Sequence, residues 1–152
     1  MWSSILTWNN LGLLLTALGT GLSFWQSYKA KTYKDEIKAD RASLALYELI
    51  PKGLSAKDEC KKIKTPLNLG KVVRGLDYDA VIDSIETFHE ALEVNQHRIG
   101  NPESLLLDMS KLKEYLTKYR QASEASVRFS IADTLYGHLN SINIELAKLR
   151  DK

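Results

Sequence analysis

The first 27 residues of the chain contain no charged side chain, and within them Ile5 to Trp25 form a nearly unbroken apolar run of 21 residues. At about 1.5 Å per residue such a run is roughly 30 Å long as a helix, the thickness of a bilayer's hydrocarbon core. The expectation is a membrane anchor over residues 1–28. Trp2 and Trp8 precede the run and Phe24, Trp25 and Tyr28 close it, as suits rings that favour the headgroup level. No Lys or Arg lies before the run, whereas Lys29, Lys31, Lys34 and Lys38 follow it. The positive-inside rule then predicts a single-pass inner-membrane protein, N-terminus outside and remainder cytoplasmic. A cleaved secretory signal fits less well, since the start lacks a basic region and the run ends in Ser23-Phe24-Trp25.

Asn9, Gly12, Thr16, Gly19, Ser23 and Gln26 recur at spacings of three and four and share one helical face, with Leu13, Leu14, Leu15, Leu18 and Leu22 mostly off it. Small and polar residues allow close helix approach in lipid, so Asn9, Gly12, Thr16, Gly19 and Ser23 form a candidate transmembrane oligomer face. The alternative is that a single span tolerates them without using them.

About 125 residues remain after the run, enough for one small domain. They hold all 21 basic and 19 acidic residues, and the resulting formal charge of +2 gives no footprint of a DNA binder. The charge is locally uneven. Lys52 to Arg74 carries seven basic residues against Asp58 and Glu59, and Asp77 to Glu93 carries six acids and no Lys or Arg. The single Cys60 excludes an intrachain disulfide.

Period-3.6 apolar spacing, few prolines and no clear strand pair predict an all-α chain: one N-terminal transmembrane helix followed by a small helical bundle. A stalk at residues 29–50 runs through Tyr33, Ile37, Leu44 and Tyr47 to Ile50, where Pro51 and Gly53 are expected to end it; the remaining domain is 51–152. A short helix starts at Ser55, and 66–76 reads as a loop. Asp77 to Ile99 places Val81, Ile85, Phe88 and Leu92 on one stripe and ends at Gly100. Asn101 and Pro102 start a helix with the stripe Leu105, Met109, Leu112, Leu116 and Tyr119. The last helix, about 123–149, carries Ile131, Leu135, Leu139, Ile142, Leu146 and Leu149, with Gly137 as a weak point or a close-packing site.

No nucleophile elbow, P-loop or H-E-x-x-H motif is present, so an enzyme is not expected, nor a cofactor or metal. Asp79, Asp83, Glu86, Glu90 and Glu93 share a face that calls for a basic partner, for which the Lys57–Arg74 segment is the nearest candidate. Lys61, Lys64, Lys71 and Arg74 span a helix end and a glycine-bearing loop suited to phosphates or to anionic lipid headgroups. His97 and Arg98 add polar groups at a helix C-terminus, and Tyr78, Tyr115, Tyr119 and Tyr136 offer rings for base stacking.

An uncharged span, a lysine-flanked exit and a small helical domain with a basic loop together resemble the small membrane effectors that accompany type III CRISPR systems. The resemblance implies an antiphage protein whose domain binds a cyclic oligoadenylate, best cyclic tetra-adenylate, and perturbs the membrane. It further implies a homo-oligomer, a tetramer matching the four phosphates of the ring, with Lys61, Lys64, Lys71, Arg74, His97 and Arg98 as ligand contacts. A scaffold that recruits a protein partner and a small membrane toxin are the rival readings.

Overall fold

The computed structural model describes residues 8–64, 75–100 and 102–151, with side chains from Gly12 onward. Their regular structure is entirely helical: α1 (Trp8–Lys64), α2 (Tyr78–Asn95), α3 (Glu103–Gln121) and α4 (Ala125–Arg150). Two structural units divide the chain between Asp40 and Arg41. The second is a four-helix bundle made by the C-terminal part of α1 with α2, α3 and α4.

The expectation of a transmembrane helix is corrected here. Among the described residues, no helix is long and apolar enough to cross a membrane. Asn9, Asn10, Thr16, Thr20, Ser23 and Gln26, with Gly12, Gly19 and Gly21, dilute the leucines too heavily. The single-pass inner-membrane topology and the outside N-terminus fall with it; residues 1–7 of the expected 1–28 segment lie outside the described residues. Trp2 and Ile5 lie outside the described residues.

Pro51 and Gly53 do not stop α1, which runs on to Lys64 and absorbs the expected short helix at Ser55. A proline inside a helix removes one backbone donor and costs about 3 kcal/mol, so something must offset it. Burial does: Leu46, Leu49, Gly53, Ala56, Cys60 and Ile63, spaced three and four apart, are all buried. Tyr33, Ile37, Leu44 and Tyr47, through which the expected stalk runs, are all exposed.

At Gly53, α1 lies tight against its neighbours. A Cβ built there falls well inside van der Waals contact distance of Asn143 Oδ1 and at 2.7 Å from Phe88 Cζ. The Asn143 amide donates to the Gly53 carbonyl at 3.0 Å and to the Leu139 carbonyl at 2.8 Å, tying α4 to the backbone of α1. Farther along, Lys57 Nζ donates to Asn140 Oδ1 at 3.2 Å and the Cys60 thiol to the Ala132 carbonyl at 3.6 Å. Rising numbers on α1 meet falling numbers on α4, so the two helices run antiparallel.

The other three helices follow their sequence signals closely. Asp77 caps α2, its side chain accepting from the amides of Asp79 and Ala80, and Gly100 has φ +88° beyond its end. Val81, Ile85, Phe88 and Leu92 of α2 are buried, as is the whole expected stripe of α3. On α4, Leu135, Leu139, Ile142 and Leu146 are buried, while Ile131 and Leu149 pack at the core's margin. Gly137 faces open space, where an added Cβ meets nothing within 4 Å. We expect Gly137→Ala to stabilise the bundle by about 0.5–1 kcal/mol, read as a higher urea midpoint; an unchanged or lower midpoint would show a packing role for this glycine.

Cys60 is fully buried, and burial pushes its thiol up to about 12. The folded value lies above the unfolded one, so the thiol's contribution to stability is complete below about pH 9 and is lost as pH rises toward 12. Cys60 should therefore resist iodoacetamide at pH 8 in the native chain and react once urea unfolds it; native alkylation at the rate of a free thiol would contradict this burial.

Candidate interaction surface

Among the described residues, the acidic face of α2 is met from α3; residues 65–74 of the Lys57–Arg74 segment lie outside them. Arg120 Nε and Nη2 donate to the two Glu86 oxygens at 2.9 and 2.7 Å, and Nη2 also reaches Asp83 at 2.9 Å. Lys113 pairs with Glu93 at 3.1 Å. Between these pairs His89 is buried, its Nε2 3.1 Å from the Met109 carbonyl. Asp83, Glu86 and Glu93 of the acidic face thus find basic partners on α3, and His89 is a helix-to-helix tie.

The candidate ligand-binding residues are divided. Lys64 pairs with Asp133 at 3.0 Å and lies over the Tyr136 ring at 4.2 Å from its centroid. Lys61 is exposed on the same turn of α1 and has interactions of its own, as does His97. Arg98 donates to Asn95 Oδ1 at 3.3 Å. Lys52 and, to a lesser degree, Arg98 hold the Glu48 carboxyl below the usual carboxylate range. Lys71 and Arg74 lie outside the described residues.

The tyrosines are also engaged within the fold. Tyr119 is buried, and Tyr115 stacks on His138 with centroids 5.7 Å apart. His138 Nδ1 lies 2.9 Å from Asp108 Oδ1 in turn. A cavity of about 290 Å³ remains beside Tyr78, Tyr119, Arg128 and Phe129, near the small end of the range for ligand pockets. Among the described residues no group of three or more His, Cys, Asp or Glu is placed to hold a metal ion.

The first unit is different. Every side chain from Gly12 to Arg41 is exposed, although the segment contains Leu13, Leu14, Leu15, Leu18, Leu22, Phe24, Trp25 and Tyr28, each between 56 and 74% exposed. At 3.6 residues per turn, the arc from Leu13 round to Leu15 covers roughly 200° of the helix. One side of that arc is the stripe Leu15, Leu18, Leu22 and Trp25, spaced three, four and three, the pattern of a coiled-coil seam.

On the opposite side lies the expected oligomer face, whose hydroxyls are used within their own helix. Thr16 donates to the Gly12 carbonyl at 2.8 Å, Thr20 to that of Thr16 at 2.8 Å and Ser23 to that of Gly19 at 2.9 Å. The Asn9 side chain lies outside the described ones. The seam of large residues could have been found from its 3-4-3 spacing, but once the run is read as lipid-facing its leucines lose that meaning.

No family model, no curated protein and no solved structure matches the chain. The reading as a cyclic oligoadenylate-gated membrane effector of antiphage defence is accordingly withdrawn: no spanning helix exists among the described residues, and no relative supplies the function.

Proposed function

We propose that this chain is a non-catalytic assembly protein, in which the apolar segment from Leu13 to Tyr28 packs against the same segment of other copies and gathers their bundles. One observation carries the reading: eight large apolar side chains stand in water on one uncharged helical segment. Contiguous apolar surface of this kind marks an interaction site, since full burial of each such side chain is worth about 1.5–3 kcal/mol.

The helix also needs support from outside itself. Gly12, Gly19 and Gly21 each cost about 1 kcal/mol relative to Ala in a helix interior, and an isolated helix in water is marginal. A second copy meets the requirement because the segment has no charge to satisfy, so a suitable partner is another uncharged apolar helix of equal length. A two-stranded seam covers a stripe of about 100°, and the roughly 200° arc suits four strands, each touching two neighbours.

The test is light scattering on the full chain over a dilution series. Four times the 17.2 kDa chain mass is the expected result. A particle of one chain mass at every concentration would overturn the proposal, and a dimer would overturn the strand count.

A further inference from the structure

Resting on that reading, we infer that adjacent strands of the assembly run antiparallel, centred on Thr20, with Leu15 against Trp25 of the second copy and Leu18 against its Leu22. The chain's charge pattern decides the direction. Continuing the stripe by its own spacing, the position after Trp25 is Lys29, whose ammonium lies 4.2 Å from the Trp25 ring centroid. A parallel, in-register pair would therefore bring two copies of Lys29 together in the seam, with Lys31 and Lys34 also level with their counterparts. Like charges forced together at the edge of an apolar seam oppose that arrangement.

The antiparallel pair has no such conflict. With Thr20 at the centre, Lys29 stands level with residue 11 of the second copy and Lys31 with residue 9, in a stretch that carries no charge. Each Lys29 keeps its place on one face of Trp25, and the other face receives Leu15 of the second copy. The helix dipoles also oppose each other. The 3-4-3 spacing is preserved, because reversing it about its centre gives the same pattern, so every large seam residue still meets another large one.

Disulfide trapping reads the direction, and buried Cys60 is no competitor for the oxidant. Full-length Leu15→Cys and Trp25→Cys chains are oxidised with copper phenanthroline, each alone and then mixed, after light scattering confirms that each still associates. Cross-linking of the mixture at least tenfold faster than of either variant alone is expected. Efficient cross-linking of each variant with itself would overturn the antiparallel arrangement while leaving self-association intact. A wild-type chain that stays monomeric overturns both.

Should either cysteine variant dissociate, a nitroxide on Gln26→Cys gives the same answer with the seam intact. Antiparallel strands place two such labels 12 positions apart, roughly 18 Å along the axis, whereas parallel strands set them level. Diagonal strands of a four-stranded antiparallel assembly are themselves parallel, so the contradicting result is level labels with no pair offset along the axis.

Discussion

Replacing Gly53 by alanine should destabilise the bundle by about 2–3 kcal/mol, read at fixed protein concentration as a lower urea midpoint with an unchanged slope. Alanine is the better helix former, so propensity alone predicts the opposite sign by about 1 kcal/mol. Packing wins because the new methyl meets Asn143 Oδ1 and the Phe88 ring together. Phe88 is among the largest fully buried side chains of the core, and Asn143 is fixed by two hydrogen bonds, one of them to Gly53 itself. Neither can retreat without loosening something else. A Gly53→Ala variant as stable as wild type would mean that α1 does not approach α2 and α4 this closely.

The second large effect concerns the first unit. Leu18→Glu combined with Leu22→Glu should convert the assembly to single chains while leaving the bundle's urea midpoint within about 0.5 kcal/mol of an assembly-free reference. Both leucines are more than half exposed within the chain, at 62 and 56%, so the bundle loses no contact. In the proposed seam the same positions are fully enclosed, where a carboxylate must either shed its water or break the packing. Mean helical ellipticity should also fall, because residues near Gly12 to Tyr28 lose their only apolar neighbours. A double variant that assembles as wild type does would remove Leu18 and Leu22 from the interface.

Which parts of this fold could be read from the sequence depends on whether one local signal or two competing ones were present. For α2 and α3, Asp77, Gly100 and Pro102 fall at the ends of clean apolar stripes, and local chemistry agrees with burial. In α1 they disagree. Pro51 and Gly53 are strong breakers, yet Gly53 is also one position in a three-four series of buried residues from Leu46 to Ile63. Tertiary contact with Phe88 and Asn143 decided between them, and both residues are more than 30 positions away. Tyr33, Ile37, Leu44 and Tyr47 are also spaced for one side of a helix, yet all four are exposed.

The acidic face of α2 shows a similar limit. Its need for basic partners followed from charge alone, whereas the choice of Arg120 and Lys113 depended on how α3 packs back along α2. The N-terminal run was misread for another reason. Its length and lack of charge matched a membrane span, but the Gly, Thr, Ser, Asn and Gln content lowers its apolarity, and the large residues keep a seam-like order that lipid contact does not require.

Sedimentation equilibrium of wild type beside Leu18→Glu/Leu22→Glu decides whether the Leu13–Tyr28 segment binds its own kind. A reversible tetramer is expected for wild type and a 17.2 kDa species for the variant at every loading concentration. A wild-type chain that sediments as a monomer, or a variant that sediments with the wild-type mass, would contradict that expectation.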